Sequence, residues 1–474
     1  MVLDYKKIGL RCGLEIHQQL ATRKLFCDDP SALRQDRPDF TVMRELRPIA
    51  GETGEIDVAA IFEKGKRKHY IYEGYDDTTC LVELDEEPPH QINSEALDIV
   101  FTVAKMLHCN FPDTVQIMRK TVVDGSNTSG FQRTALIAYG GFIETSFGKV
   151  RIATVCLEED AARRTAETPD SVTYRLDRLG IPLIEIATAP DIKTPEQARE
   201  TAEKLGMLLR STGKVMRGIG TIRQDLNVSI SGHPRVEIKG VQELRHMPEI
   251  AEKEIERQLA VLKAGDKPVP HVRNVLPDLC TKFLRPMPGA ARMYPETDHP
   301  LIVLDKKYIA VLKLPESFEE KEKRFLKLGL SADLAKQIVR DEKLSLFETF
   351  AREFPKINAN VIASTLLSVE NEVKRKTEKE ISFSDKQFEN VFDLLNKNKI
   401  TKESLLDIFV KVAAGISAEE AAKSFEKLSD TDLKKEIEKI KSQLKDVPAD
   451  KMQGIVIGKL RGKAEPRKII EMLK

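Results

Sequence analysis

Three apolar stretches of this chain carry acidic or imidazole side chains, which an ordinary protein core would exclude. The segment 13–17 alternates like a strand, so Glu15 and His17 share one face. Three consecutive carboxylates (158–160) close one apolar strand, and Glu185 lies inside another. An unpaired carboxylate costs several kcal/mol to bury, so each of these groups needs a cation or a proton.

A divalent metal ion would satisfy several such carboxylates at once. Oxygen ligands with one imidazole favour Mg²⁺ or Mn²⁺ over zinc, particularly where nucleotide phosphates complete the coordination shell. For Glu185 alone, a salt bridge to an arginine such as Arg178 is the simpler interpretation. For the acidic and imidazole groups together we favour a metal site. The predicted metal-binding and catalytic residues are Glu15, His17, Glu159 and Glu185.

Phosphate chemistry at such a site also requires cationic side chains, although each one alone would more often be a surface charge. The candidates for nucleotide binding are Arg119, Lys120, Arg178, Arg223 and Lys239. No G-x-x-x-x-G-K-[ST] motif is present, and the segment 218–220 lacks the third glycine of a dinucleotide-binding fingerprint. The segment 125–130 is either an anion-binding turn or a plain one. If ATP binds here, we therefore expect it to bind on a sheet with metal ions and not in a P-loop.

The elements that must position these residues are mixed up to about residue 315. The predicted strands include 70–72, 150–155 and 183–186. Tight connections at 139–142 and 146–148 predict hairpins. Predicted helices begin after Asn93, at a capping box that opens on Thr194, and near Val241. Long strand–helix–strand alternation is missing, so we predict an α+β fold with an antiparallel sheet.

Beyond Ser317 the chain becomes helical, rich in Lys and Glu and poor in glycine. Capping boxes that open on Ser384 and Ser417 predict two helix starts, and the hydrophilic segment 374–380 predicts a linker. The predicted domains cover residues 1–315, 316–380 and 381–474.

The last segment, 451–474, carries seven Lys or Arg residues against two Glu residues. On charge alone a solvated helical face is the simpler interpretation, and a surface for a phosphate backbone is the alternative. The candidate nucleic-acid-binding residues are Lys459, Arg461, Lys463, Arg467 and Lys468.

The overall composition argues against several classes of protein. The 76 Lys and Arg residues nearly balance the 75 Asp and Glu residues, so the total charge of +1 does not indicate an anionic partner. The six cysteines form no C-x-x-C pair, which argues against a zinc knuckle or a disulfide framework. No apolar run approaches the roughly 18 residues that span a bilayer, and an early charge rules out a signal peptide. We expect a soluble cytoplasmic protein with no membrane partner.

Four ordered motifs resemble the GatB/GatE family, the large subunits of tRNA-dependent amidotransferases. They are the segments 13–17, 157–161, 178–186 with 190–191, and 223–229. Three more are closer to the archaeal E type than to the bacterial B type, namely 44–60, 124–132 and 284–298. The final segments 454–459 and 462–463 are similar to the YqeY-like tail of the family. The resemblance covers essentially the whole chain.

The resemblance implies an antiparallel-sheet cradle related to glutamine synthetase, followed by a helical domain and the tail. It also implies that the cradle uses ATP and Mg²⁺ to phosphorylate the side-chain carboxylate of Glu-tRNA(Gln). Ammonia from an asparaginase-like partner, GatD, then displaces the phosphate, in an assembly of two D and two E subunits. The four predicted metal ligands match the family's Mg²⁺ ligands, and the basic tail matches its tRNA contacts.

Two features depart from the family pattern. Archaeal members of the E type normally carry an inserted domain similar to one in bacterial aspartyl-tRNA synthetases, but only about residues 264–282 are available for it here. The segment 27–29 reads Cys-Asp-Asp where some relatives have paired cysteines. No nucleophile motif for amide hydrolysis is present, which fits a partner as the ammonia source. The alternatives are a non-catalytic tRNA-binding scaffold and dual specificity for Asp-tRNA(Asn) and Glu-tRNA(Gln).

Overall fold

The structure is a computed structural model that describes residues 3–444, 449–460 and 462–473. The chain divides into two compact units, residues 1–315 and residues 316–474. Every strand of the described residues lies in the first unit, and the second unit is helical. The predicted α+β class is therefore confirmed.

Most strands of the first unit are short, and the longer ones belong to its main sheet. They are β1 (Arg11–Gln19), β2 (Phe40–Arg44), β3 (His69–Gly74), β4 (Thr114–Val115), β5 (Ile117–Thr121), β6 (Phe131–Thr145), β7 (Gly148–Glu159), β8 (Arg163–Glu167), β9 (Ser171–Arg175), β10 (Pro182–Thr188), β11 (Ile222–Ser229), β12 (Val236–Lys239), β13 (His271–Val275), β14 (Thr281–Pro286), β15 (Met293–Pro295) and β16 (Ile302–Val303).

The α-helices fall into two groups, one in each unit. Those of the first unit are α1 (Val58–Lys64), α2 (Ser94–Met106), α3 (Pro195–Ser211), α4 (Met247–Lys263) and α5 (Lys306–Val311). Those of the second unit are α6 (Phe318–Lys327), α7 (Ala332–Arg340), α8 (Leu344–Glu353), α9 (Ala359–Thr377), α10 (Asp385–Asn396), α11 (Leu405–Ala413), α12 (Ala418–Ala422), α13 (Asp430–Gln443), α14 (Ala449–Lys459) and α15 (Pro466–Leu473).

A ten-stranded sheet has the order β14-β13-β12-β11-β1-β10-β7-β6-β5-β15. Its neighbouring strands are antiparallel except for β12 and β13. The alternation predicted for the segment 13–17 is confirmed in β1. Leu14 and Ile16 are buried on one face, so Glu15 and His17 point to the other. A smaller sheet has the order β2-β3-β9-β8, and β16 pairs with β4.

The ten-stranded sheet must be strongly curved. Its end strands, β14 and β15, are joined only by residues 287–292, which we name the strap. The ends of a flat ten-stranded sheet would lie ~43 Å apart at a strand spacing of ~4.8 Å. The chain from Pro286 to Met293 can reach only ~25 Å. The strap therefore crosses the concave face of the sheet.

The main hydrophobic core lies on the convex face. Buried side chains of the sheet, such as Leu14 and Ile184, pack there with Val100 of α2, Leu205 of α3 and Ile255 of α4. The predicted starts of α2 and α3 are confirmed. The Asn93 and Thr194 side chains accept hydrogen bonds from backbone N–H groups in the first turns of α2 and α3, respectively. Helix α4 begins at Met247, six residues after the predicted start.

The tight connection predicted at 139–142 is wrong. Strand β6 continues through it, from Phe131 to Thr145. A Cβ at Gly141 would lie 2.3 Å from the carbonyl oxygen of Leu107, so glycine here permits the end of α2 to approach the strand closely. The second predicted connection is confirmed, because Thr145 pairs with Gly148 in the hairpin between β6 and β7.

In the second unit, both predicted helix starts are confirmed. Ser384 forms a complete capping box with Gln387, and the Ser417 side chain accepts a hydrogen bond from the backbone N–H of Glu420. The linker predicted at 374–380 is wrong in its first four residues. Helix α9 continues to Thr377 and stops at the left-handed residue that follows it, with φ of 57°.

Aromatic rings on both sides of residue 380 pack together in this unit. Phe392 of α10 lies 5.4 Å from Phe350 and 6.3 Å from Phe354, between ring centroids. The helices α13, α14 and α15 bury a separate apolar cluster that includes Leu433, Val456 and Ile469. The predicted domain boundary at residue 380 stays a prediction. Among the described residues, none of the helices combines the length and apolar character required to cross a bilayer.

Candidate active site

A cavity of about 530 Å³ lies on the concave face of the ten-stranded sheet, beneath the strap. Its walls are unusually rich in ionisable groups. The acidic lining residues are Glu15, Glu158, Asp160, Glu185, Asp225 and Glu237. The cationic ones are Lys120, Arg223, Arg235, Lys239, Arg285 and Arg292, and His17 also faces the cavity. Such a wall requires each charge to find a partner, in the protein or in a ligand.

The first carboxylate cluster contains His17, Glu158 and Glu185, whose ligand atoms all lie within 4.8 Å of one another. Strand pairing brings them together, because His17 of β1 lies directly opposite Glu185 of β10 and Glu158 lies on the next strand, β7. The His17 Nε2 and Glu185 Oε2 atoms are 3.2 Å apart. The Lys120 ammonium lies 2.5 Å from Glu158 and 3.4 Å from Glu185.

The second carboxylate cluster contains Glu15, Asp225 and Glu237, again with ligand atoms within 4.8 Å of one another. Glu15 of β1 lies directly opposite Asp225 of β11, and Glu237 comes from the adjacent strand, β12. The ammonium of Lys239 lies 2.5 Å from Asp225 and 2.7 Å from Glu237. Each carboxylate cluster thus contains one lysine that balances part of its negative charge.

The proximity of these groups shifts their pKa values in opposite directions. Burial, followed by repulsion from Glu237 and Glu185, raises the pKa of Glu15 to about 7. Burial alone would raise the pKa of Glu185, but the attraction of Lys120 and the hydrogen bond with His17 lower it. Burial alone would lower the pKa of Lys120, but Glu158 and Glu185 raise it. The first cluster therefore holds its lysine as a cation, as a metal-binding site would hold an ion.

A third group of polar side chains lies at the edge of the cavity, around the buried Asp160. Its carboxylate accepts hydrogen bonds from Gln19 at 2.6 Å and Arg223 at 2.7 Å. The Arg178 guanidinium is 3.9 Å away and donates instead to the carbonyl oxygens of Ala161 and Ala162. Asp160 therefore fixes Arg223 at the cavity and is itself satisfied.

The structure brings six of the predicted site residues to the cavity, namely Glu15, His17, Glu185, Lys120, Arg223 and Lys239. Glu185 pairs with His17 and Lys120, and not with the Arg178 suggested by the simpler interpretation.

Three other predicted site residues, Glu159, Arg119 and Arg178, do not line this cavity. Successive residues of a strand point to opposite faces, so Glu158 takes the cavity face of β7 and Glu159 turns away. Glu159 instead accepts hydrogen bonds from the backbone N–H and the guanidinium of Arg133, each at 3.1 Å. Arg119 pairs with the buried Glu296 and stacks on the Phe131 ring.

Seven ionisable residues of the cavity were not among the predicted ones. The period of two along strands could have found the acidic residues. Glu158 and Asp160 lie on the face opposite to that of Glu159, and Asp225 shares the face of the predicted Arg223. No such period identifies Arg285 and Arg292, because the curvature of the sheet and the short strap bring them to the cavity.

A separate buried group joins Cys27, Asp29, Cys80 and Glu83, with ligand atoms within 4.8 Å of one another. The Cys27 thiol donates to Glu83 at 3.1 Å, and the fully buried Lys24 ammonium lies 3.5 Å from the same carboxylate. The spacing of Cys27 and Cys80 in the sequence did not predict that the two thiols would lie close together. The Lys24 ammonium balances the charge of Glu83.

The predicted nucleic-acid-binding residues lie at the end of the second unit. Lys459, Lys463 and Arg467 are exposed, and Lys468 pairs with Asp430 at 2.5 Å. Arg461 lies outside the described residues. Arg467 also borders a cavity of about 610 Å³ with three lysines of the same unit, Lys356, Lys402 and Lys427.

Known proteins place this chain in a family. The GatB/GatE catalytic domain matches residues 10–310. The E-type chain of the glutamyl-tRNA(Gln) amidotransferase from Methanocaldococcus jannaschii is 36% identical over 633 aligned positions, which cover 100% of this chain and 99% of that protein. The protein of the same name from Sulfurisphaera tokodaii is 36% identical over 623 positions, with 100% and 99% covered. That of Methanosarcina barkeri is 36% identical over 620 positions, with 99% and 98% covered.

These alignments are longer than the 474 residues of the chain, so each relative has residues with no counterpart here. In this structure the stretch 264–282 consists of the connection after α4, strand β13, a turn and the first two residues of β14. The family match spans more than half of the chain, and the three relatives are aligned nearly end to end. The chain therefore belongs to the GatB/GatE family.

Proposed function

We propose that this chain catalyses the ATP-dependent conversion of Glu-tRNA(Gln) into Gln-tRNA(Gln). The observation that carries the proposal is the cavity beneath the strap, where two carboxylate clusters face cationic side chains. Membership of the GatB/GatE family supports this reaction, because the relatives are named as subunits of a glutamyl-tRNA(Gln) amidotransferase.

The donor atoms of the cavity fit Mg²⁺. Carboxylate oxygens with one imidazole nitrogen are ligands of a hard divalent ion, and the atoms of each cluster lie within 4.8 Å of one another. His17, Glu158 and Glu185 would hold one ion, and Glu15, Asp225 and Glu237 would hold another. When bound, Mg²⁺ neutralises charge on the phosphates of ATP and so makes the γ-phosphorus a better electrophile. Glu159, which belonged to the predicted ligand set, is replaced by Glu158 in this proposal.

The reaction needs activation because a carboxylate is a poor acceptor for ammonia. An oxygen of the glutamyl side chain attacks the γ-phosphorus of ATP, and ADP leaves with the electron pair of the broken P–O bond. The nitrogen of ammonia then bonds to the acyl carbon, and phosphate leaves as the C–O bond breaks. A proton leaves the nitrogen, which yields the amide. Little covalent chemistry is left for the protein, so positioning and charge neutralisation dominate.

The side chains of this cavity are suited to those two tasks. Rigid strands carry the acidic residues, and cross-strand pairing fixes their spacing. Arg223, fixed by the buried Asp160 at 2.7 Å, presents part of its guanidinium to the cavity. The strap covers the concave face and limits the entry of water, which would hydrolyse an acyl phosphate.

We further propose that ammonia comes from an asparaginase-like partner, GatD, in an assembly of two D and two E subunits. The sequence supports a separate source, since it contains no recognised nucleophile motif for amide hydrolysis. Charged tRNA would bind the basic residues of the second unit, which include Lys459, Arg461, Lys463, Arg467 and Lys468. The exposure of Lys459, Lys463 and Arg467 supports this assignment.

The two alternatives are less well supported. A scaffold that had lost catalysis would have no reason to keep two carboxylate clusters and six cations around one cavity. Dual specificity is disfavoured because the relatives are named for tRNA(Gln) alone. One assay separates all three functions: glutamine or asparagine formation on Glu-tRNA(Gln) or Asp-tRNA(Asn), with ATP, Mg²⁺ and ammonium. We expect ATP-dependent glutamine formation only. No product would favour the scaffold, and asparagine would favour dual specificity.

A further inference from the structure

The cations of the cavity fall into two sets that differ in their partners. Lys120, Arg223 and Lys239 rise from the sheet, and each pairs with a carboxylate of the cavity. The others are Arg235, Arg285 and Arg292, which we name the arginine wall. Within the described part of the chain, none of these three forms an ion pair with a carboxylate.

The side chains of the arginine wall form very few hydrogen bonds. The guanidinium of Arg285 has no hydrogen-bond partner among the described residues. The Arg235 side chain donates only to the thioether sulfur of Met287, at 3.5 Å, and the Arg292 side chain donates only from Nε to the carbonyl oxygen of Thr121, at 3.3 Å. A guanidinium carries five N–H donors, so most donors of the arginine wall face the cavity or solvent.

This arrangement is unfavourable without an anion. Arg285 and Arg292 are half-buried. Burial lowers the pKa of Arg292, and repulsion from Arg285 lowers it further. Like charges held together and partly removed from water cost free energy unless a ligand compensates them. The wall therefore has the properties of a binding site for a multiply charged anion.

The strap, which carries Arg292, is anchored to neighbouring segments of the first unit. The backbone N–H of Gly289 donates to the Asp57 carboxylate at 2.8 Å, and the other oxygen of that buried carboxylate caps the first turn of α1. A Cβ at Gly51 would lie 2.1 Å from the carbonyl oxygen of Ala291, so the neighbouring chain packs tightly against the strap. Because the strap backbone is fixed before a ligand binds, little backbone conformational entropy is lost there on binding.

We infer that Arg235, Arg285 and Arg292 bind the phosphate groups of a ligand that lies between the strap and the two carboxylate clusters. The inference rests on the proposed function and deepens it. Two sources of phosphate could meet the wall, the triphosphate of ATP and the sugar–phosphate backbone at the 3′ end of the charged tRNA. The triphosphate is favoured, because one side of it would meet the Mg²⁺-binding clusters while guanidiniums paired with oxygens on the other side.

A single carboxylate is a poorer match for the wall. One negative charge would leave two of the three guanidiniums uncompensated, whereas a triphosphate carries enough charge for the wall and the metal ions together. The flat guanidinium fork also matches two phosphate oxygens at once, which a lysine cannot do.

The test compares nucleotides that differ only in phosphate number. Calorimetry would measure the binding of adenosine, ADP and a non-hydrolysable ATP analogue, with Mg²⁺, to the wild-type chain and to Arg285→Gln and Arg292→Gln. We expect adenosine to bind all three alike, and the analogue to bind each variant about tenfold more weakly. The loss for ADP should lie in between. Arg292→Lys, which keeps the charge but not the fork, should recover only part of the affinity.

A parallel titration with Glu-tRNA(Gln) distinguishes the two phosphate sources. Loss confined to tRNA would assign the wall to the 3′ end of the tRNA. The matched control is Arg199→Gln, which removes an exposed arginine of α3 that pairs with Glu203 outside the cavity. Unchanged binding of both ligands by correctly folded variants would overturn the inference. Failure of the wild-type chain to bind the ATP analogue would instead contradict the proposed function itself.

Discussion

The ammonium of Lys120 lies 3.4 Å from the carboxylate of Glu185. It therefore supplies the positive charge that a bound metal ion would supply at this carboxylate. It also contacts Glu158, at 2.5 Å, and Lys239 has the same relationship to the second carboxylate cluster. A lysine and a divalent ion compete for the same carboxylate oxygens. The two lysines should therefore limit how tightly the empty clusters bind metal.

Replacement of Lys120 by Met should increase the metal affinity of the first carboxylate cluster. The variant removes the competing ammonium and leaves two carboxylates without their counter-ion, so we expect Mn²⁺ to bind about tenfold more tightly, or ~1.4 kcal/mol. Electron paramagnetic resonance of free Mn²⁺ measures this affinity. Lys120→Arg, which keeps the charge, is the control and should not show the gain. Weaker Mn²⁺ binding by Lys120→Met would mean that the lysine supports the ion instead of replacing it.

Adjacent glutamates of β7 should respond differently to the same substitution. Glu158 faces the cavity and Glu159 pairs with the buried Arg133. Glu158→Gln should lower the rate of glutamine formation at least about 100-fold, because it removes a charged metal ligand. Glu159→Gln should destabilise the fold by about 3 kcal/mol, since it leaves the Arg133 charge poorly compensated.

Steady-state rates at several Mg²⁺ concentrations and thermal unfolding separate these two effects. If Glu159→Gln lost its Mg²⁺ dependence while keeping its stability, the assignment of Glu159 as a ligand, predicted from the sequence, would be restored. Equal effects of both substitutions on rate and stability would argue against the division of roles.

Acid should weaken the two salt bridges of Glu296, which pairs with Arg119 and Arg133. Burial would raise the pKa of Glu296, but hydrogen bonds from Arg119, the backbone of Asp298 and Arg133 hold it at about 2. A lowered pKa stabilises the folded state above the ordinary value of 4.5, and this contribution is lost as the pH falls towards 2.

We therefore expect Glu296→Gln to cost about 2 kcal/mol of unfolding free energy at pH 7 and progressively less in acid. Urea unfolding of the wild-type chain and the variant between pH 7 and pH 3 provides the measurement. The difference between the two should shrink below pH 4.5. A difference that stayed constant with pH would show that the charge of Glu296 contributes nothing.

The exposed basic residues of the tail should govern the salt dependence of tRNA binding. A triple change of Lys459, Lys463 and Arg467 to Gln should weaken binding roughly tenfold at moderate salt. The slope of log affinity against log salt should fall by about one for each phosphate contact that is lost. Filter binding at several salt concentrations measures both. Lys386→Gln, at an exposed lysine of α10, is the control. Affinity and slope that matched the control would exclude a role for these residues.

Local patterns predicted the parts of the site that lie on single strands. The sequence alone shows the alternation around Glu15 and His17 and the buried charge of Glu185. The period of a strand fixes which residues share a face. The same rule, applied strictly to β7, would have chosen Glu158 over Glu159. The continuous strand through Gly140 and Gly141 was missed because glycine pairs usually mark turns. Here Gly140 adopts a φ of 68° within the strand, and Gly141 permits the close approach of α2.

The remaining site residues depend on tertiary structure. Arg285 and Arg292 reach the cavity because the sheet curves enough for six residues to join its two end strands. That curvature is a property of the whole sheet, so the residues next to either arginine in the sequence do not predict it. Likewise, Arg119 pairs with Glu296, and Arg178 donates to backbone carbonyl groups. The spacing of residues in the sequence does not reveal these partners.

The cavity is proposed to bind divalent metal ions within its two carboxylate clusters. A crystal grown with Mn²⁺ and a non-hydrolysable ATP analogue, measured at the manganese absorption edge, tests this proposal most directly. The account predicts an anomalous peak in contact with His17, Glu158 and Glu185, with the Lys120 ammonium displaced from those carboxylates. Nucleotide bound with no manganese in the cavity, or manganese coordinated only outside it, would contradict the account.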